Sequence, residues 1–370
     1  MYIISISIFL YLSYISSVKG KGLLAEPVID DLKNDQHVFA FFVIFRILLG
    51  AAIYHFLQSV ALFGVNTSED RRSILQDGLW PIKVFTLIGC CTVCFYIPPQ
   101  YFRTIFYFSL AGASLCTLIQ AFLLIDVAYE YAEFFVEQYE ETAQDRYKYI
   151  LIGTTVFFNS VILFGSIYLL IKYPSGWDRF LVILYLISSI SMTVISCLES
   201  VQDFNPKSGI FQSSLLGAYN FYLILSGLLS RPDSAADENL TTERWIKTLT
   251  TFGYFMAIFF AAFSAFRTGQ ASHKLLITQP KDETEEEESD EEPEDYSRSF
   301  FHFIFLLSAL QLAILMNRWR APEIEPISKT LNIVDLNISF YVKVSTSWVI
   351  TILYIWTLFA PYFFPDREFF

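Results

Sequence analysis

Apolar side chains fall in ten long runs, at residues 2–17, 38–65, 80–98, 104–126, 149–171, 180–198, 210–229, 246–266, 300–316 and 341–364. Polar residues collect between these runs and do not alternate within them. A helix crossing a bilayer needs about 20 mainly apolar residues, because the hydrocarbon core is about 30 Å thick and each residue adds 1.5 Å. Backbone polar groups find no water there, so each run must be helical. A β-barrel would demand alternation with period two, and the runs lack it. The pattern predicts an all-α fold, a polytopic transmembrane helix bundle of about ten spans.

Two runs depart from the plain pattern. The first is short, follows no basic residue and ends at Ser16-Ser17-Val18-Lys19. A cleaved signal peptide competes with a span there, and the absent basic residues favour the span. The fourth continues past Ile125 through Asp126, Glu130, Glu133, Glu137, Glu140 and Glu141 with neither Gly nor Pro. Acids at steps of 4, 3, 4 and 3 share one helix face. One unbroken helix from Thr104 to Glu141 would reach about 57 Å, nearly twice the bilayer core. It must tilt steeply or project beyond the membrane.

Composition sharpens the class. Charged residues make up 17% of the 370 and hydrophobic ones 54%, far from the usual balance of soluble chains. Net charge is −12, but eleven acids sit at 282–295 and only −1 remains elsewhere. A body so nearly neutral offers no basic face for nucleic acid. The 282–295 stretch reads as a self-repelling cytoplasmic linker. Within it Ser289 and Thr284 precede runs of acids, a context that acid-directed kinases prefer, so both are phosphorylation candidates. The chain therefore divides into a first span and external loop (1–37), a membrane bundle (38–281), the acidic linker (282–299), and two last spans with a short tail (300–370).

Lys and Arg in the short loops are too evenly shared to orient the bundle. The three sequons, at Asn66, Asn239 and Asn337, are more informative. Asn66 and Asn337 abut spans, whereas Asn239 lies in a polar loop, so N-glycosylation is expected at Asn239 on the outer side. Counting spans from there puts both termini and the acidic loop in the cytoplasm.

Ionisable groups inside spans are costly and usually face protein or a cavity. Arg46 is the clearest, with Asp126 or Glu199 as partner in an intramembrane charge pair. Such a pair either fixes packing or couples transport. Gln120, Gln212, Ser213 and Ser214 are equally open to two readings: interhelical hydrogen bonds, or, with Asp126, a polar track along which a lipid headgroup slides. Cys90, Cys91, Cys94, Cys116 and Cys197 all lie in apolar runs, which argues for buried thiols over a disulfide framework. The four histidines show no metal-pair spacing, and no GxSxG or phosphate-cradling loop occurs. No catalytic set, metal or cofactor nominates itself, so the chain reads as a non-enzyme.

Several stretches resemble the Serinc (serine incorporator) family, in family order. Gln120-Ala-Phe-Leu-Leu-Ile-Asp126 with Val136-Glu137 and Glu140-Glu141 is similar to its long helix with an acidic tail. Asn205-Pro206-Lys207-Ser208-Gly209 leading into Gln212-Ser213-Ser214 resembles its proline–serine–glycine–leucine–leucine–glutamine–serine–serine signature. Tyr296-Ser297-Arg298-Ser299-Phe300-Phe301-His302, Val342 to Trp348, Leu353 to Pro361 and Asp366-Arg367-Glu368-Phe369 resemble its last two spans and terminus. The family's cysteine-rich first segment is missing, as are its cysteines in the loop Lys19 to His37, which points to a shortened member or an incomplete amino end. The resemblance implies two helical subdomains divided by one long tilted helix. Its implied roles are phospholipid movement between leaflets, or support of serine incorporation into phosphatidylserine and sphingolipids. Expected partners are membrane lipids (phosphatidylserine, sphingolipids, sterol) and a second copy of the chain, in the plasma membrane or the ER and Golgi. An ion-coupled solute transporter using Arg46 and Asp126 is the rival class, although the inverted repeats common in such proteins are not visible.

Overall fold

The computed structural model describes residues 36–65, 70–173, 176–229, 248, 251–253, 255–256, 258–259, 262–263, 298–317, 319–324, 331–334 and 337–363. In chain order the labelled elements are α1 (Gln36–Ala61), α2 (Ile74–Asp77), α3 (Trp80–Phe95), α4 (Phe102–Thr142), α5 (Asp145–Lys172), α6 (Gly176–Ser196), α7 (Glu199–Gln202), α8 (Ile210–Leu229), α9 (Arg298–Met316), β1 (Ala321–Ile324), β2 (Leu331–Val334) and α10 (Ile338–Phe363). The all-α bundle is thus the observed fold class. Among the described residues the exception is an antiparallel strand pair, with Ala321 opposite Val334 and Ile324 opposite Leu331.

Six described helices are long and apolar enough to cross a membrane by length and composition, and α3 is a shorter apolar helix. The expected span 210–229 matches α8, whose apolar residues are interrupted by Gln212, Ser213, Ser214, Asn220 and Ser226. Run 2–17 lies outside the described residues, and run 246–266 does so in part. Asn239, Thr284, Ser289 and the acidic stretch also lie outside them.

The chain forms two compact units, Met1–Cys116 with Thr250–Asp335, and Thr117–Leu249 with Leu336–Phe370. The boundary falls inside α4, and the last two spans part company, α9 joining the first unit and α10 the second. At 41 residues, α4 is about 60 Å long at 1.5 Å per residue. It ends where Ala143 takes a left-handed conformation (φ 52°) and donates its N–H to Tyr139 O at 2.9 Å. That turn caps the last carbonyls and lets α5 start at Asp145.

In the first unit α1 packs on α9 and α3. Gly50 permits the close approach of α1 and α3, since a Cβ there would stand 2.5 Å from Cys91 Cα; on α4 a Cβ on Gly112 would stand 2.6 Å from Leu310 Cδ1 of α9. Phe42, Phe45, Phe102 and Phe106 are buried there. Between α1 and α3, Asp70 accepts from the backbone N–H and guanidinium of Arg72. Those bonds hold its carboxyl below the ordinary carboxylate range. In the second unit α8 is central, packed by α5, α6 and α10. Leu169, Val182, Tyr185, Ile224, Leu228 and Phe340 form the core of that contact. By contrast α5 is outward-facing, with only 6% of its most apolar stretch buried.

Candidate functional site at the end of the second unit

The exposed acidic face of α4 forms one wall of an open cavity of about 750 Å³ within the second unit. Glu133, Glu137 and Glu140 project from α4, as their spacing on one helix face requires. Opposite them run residues 206–209 and the first turn of α8. The third wall is the start of α5, where Ile152 and Val156 line the cavity and are also exposed on the outer surface.

The turn before α8 is held by its own polar side chains. Asn205 is buried and donates from Nδ2 to the carbonyls of Thr357 (3.4 Å) and Leu358 (3.5 Å) on α10. Ser208 Oγ donates to Ser196 O at 3.3 Å. Gln212 Nε2 donates to Lys207 O at 2.9 Å, which orients the amide. These anchors place Lys207 against α4, with Nζ 2.6 Å from Glu133 Oε1 and the two side chains 44% and 46% exposed. Gln212 is 2% exposed, lines the cavity, and its Oε1 receives no hydrogen bond. An acceptor so enclosed and unpaired is a feature that a ligand donor would satisfy.

The sequence-level candidates separate in the structure. Gln212 belongs to the cavity. Ser213 and Ser214 are buried beside it, but their hydroxyls donate to Ile210 O at 3.0 and 2.6 Å, and Ser214 Oγ accepts from Asn159 Nδ2 at 2.6 Å. Those bonds belong to helix packing. Gln120 is buried and Asp126 half-buried on α4, and neither is among the residues lining the cavity. Glu199 is exposed at the start of α7. Deeper in this unit, Asn220 Nδ2 donates to Thr351 Oγ1 (3.1 Å) and Lys343 Nζ to Ser226 Oγ (2.8 Å).

Arg46 is wholly buried in the first unit. Its Nη2 donates to the Ile97 carbonyl at 3.0 Å, and Cζ stands 5.0 Å from the Phe102 ring centre and 5.5 Å from that of Phe42. Nε and Nη1 have no hydrogen-bond partner. A carbonyl and π-faces thus surround the guanidinium, which is weakly hydrated and stacks readily on aromatic rings.

Sequence reasoning missed two groupings. Lys207 passed as part of a motif, and only folding shows it against Glu133. In the first unit His55 and His302, 247 residues apart, bring their Nδ1 atoms within 3.0 Å, and His302 Nε2 lies 2.7 Å from Gln76 Oε1. With Gln76 accepting, His302 donates from Nε2 and accepts at Nδ1 from His55. Each histidine opens no local motif, so nothing in the sequence paired them.

Apolar helices of spanning length around buried polar clusters define the class: a multi-pass integral membrane protein. The family model described as Serine incorporator (Serinc) matches residues 1–292 and 277–367, and the chain belongs to that family. It is similar to a "Probable serine incorporator" of Dictyostelium discoideum, 31% identical over 78% of this chain and 72% of that one. A protein of the same description from Nematostella vectensis is 28% identical over 90% of this chain and 81% of its own length. "Serine incorporator 3" of Bos taurus is 26% identical over 88% and 79% respectively.

Proposed function

We propose that this chain handles membrane lipids, and that its activity is the movement of phospholipids between leaflets. The observation carrying this reading is the composition of the cavity walls. One side offers carboxylates, an ammonium and an unpaired amide oxygen; the other is the exposed apolar face of α5. A headgroup can enter the polar side while its acyl chains remain along α5 in the bilayer. A soluble metabolite gains nothing from that second wall. On the topology expected from Asn239, the cavity opens at the cytoplasmic leaflet.

The relatives are named for serine incorporation, and a site that holds aminophospholipid headgroups would serve that role as a lipid-presenting step. The solute-transport reading needs Arg46 and Asp126 to act as a coupled pair. It is disfavoured by the aromatic enclosure of Arg46. Reconstitution into liposomes with a tail-labelled phospholipid, beside uptake of radiolabelled serine, separates the classes. Accelerated access of an external quencher to inner-leaflet lipid supports the proposal. Serine accumulation without lipid movement refutes it.

A further inference from the structure

Resting on the lipid-handling reading, we propose that the cavity at the end of the second unit selects a zwitterionic headgroup of the phosphoethanolamine type. Its charged lining comprises Glu133, Glu137, Glu140 and Lys207, three carboxylates against one ammonium. Glu133 and Glu137 are four residues apart and Glu137 and Glu140 three, so the like charges are neighbours on α4 and repel. Lys207 offsets this at Glu133, 2.6 Å away. A second cation entering beside Glu137 and Glu140 relieves the rest.

The headgroup meets three distinct demands. Its phosphate takes Lys207, the one cation in the lining, held toward the cavity by the turn that Gln212 and Asn205 fix. Its primary ammonium sits against Glu137 and Glu140. One of its N–H groups is free for Gln212 Oε1, the acceptor that is 2% exposed and lacks a donor. A trimethylammonium carries no N–H and leaves that oxygen unpaired, which penalises choline headgroups. A serine headgroup keeps the ammonium but adds a carboxylate to a lining that is already net negative, which penalises it by like-charge contact. Ile152 and Val156, exposed on α5 at the cavity edge, favour a headgroup with chains attached over free phosphoethanolamine.

The test uses the full-length protein, purified in detergent and stripped of lipid. Binding of lysophosphatidylethanolamine, lysophosphatidylcholine and lysophosphatidylserine is measured by native mass spectrometry, with water-soluble phosphoethanolamine as competitor. The ethanolamine lysolipid should bind about tenfold more tightly than either other, the size expected of one charge-assisted hydrogen bond. Soluble phosphoethanolamine at equal concentration should not displace it. The double variant Glu137→Gln with Glu140→Gln should lose the preference over serine while keeping its melting temperature. Lys207→Met should weaken all three lysolipids together. Equal binding of the three, a preference for lysophosphatidylserine, or a ranking unchanged in the double variant would overturn the proposal. Displacement by the soluble competitor would overturn its lipid source. Normal leaflet movement in vesicles with no ranking sinks this inference alone, and an intact ranking without leaflet movement sinks only the transport reading.

Discussion

In the first unit, Arg46 and the His55–His302 pair are enclosed by aromatic and apolar neighbours, and their hydrogen bonds run inward to a carbonyl, to each other and to Gln76. In the second, Lys207 and Glu133 are each nearly half exposed at the edge of a cavity, with an unpaired amide oxygen behind them. Both regions carry charge in a membrane protein, yet the pair in the second is far more accessible than Arg46 in the first. A buried ion contributes to packing and is expensive to disturb, whereas a half-exposed pair contributes little to stability and can exchange partners. Ionisable residues within a bundle therefore sort into structural and functional ones by enclosure rather than by depth along the chain.

Substitutions can break this contrast in order of size. Arg46→Ala empties the space among Phe42, Phe95 and Phe102 and should cost about 3–5 kcal/mol, read as a large fall in melting temperature in detergent. Arg46→Met refills that space and should cost less than half as much. A methionine variant as unstable as the alanine one would mean that the guanidinium has a charge partner after all.

Gly50→Ala comes next. The added Cβ meets the Cys91 backbone at 2.5 Å, so α1 and α3 must part, at about 1–3 kcal/mol. His302→Leu strands Gln76 Oε1 and His55 Nδ1, for about 1–3 kcal/mol by the same melting assay. The smallest effect on stability belongs to the second unit. Lys207→Ala removes a half-exposed ion pair and should change stability by no more than about 1 kcal/mol while lowering lipid movement. A variant that melts much earlier would place Lys207 with Arg46 among the structural charges.

Much of the architecture is legible in the chain because membrane spans announce themselves by length and apolarity alone. The unbroken α4 follows from the absence of Pro and from acids at steps of 4 and 3; the observed helix, Phe102–Thr142, extends the expected one by only a few residues. The strand pair of Ala321–Ile324 with Leu331–Val334 escapes notice because its four-residue strands are shorter than any span pattern and carry no clear alternation. Of the site, Gln212 was readable as a polar residue in an apolar run. Lys207 was not, since a loop lysine looks solvated until the turn around Asn205 and Ser208 folds it onto α4. Arg46 was harder to read: no linear pattern reveals that Phe42, Phe95, Phe102 and the Ile97 carbonyl converge on it.

The most direct test of the account is the rate at which inner-leaflet, tail-labelled phosphatidylethanolamine becomes accessible to an external quencher in sealed vesicles carrying the protein, compared with vesicles carrying Lys207→Met. The account predicts rapid exchange with the wild-type chain and slow exchange with the variant at an unchanged melting temperature. Wild-type vesicles no faster than protein-free ones would contradict it.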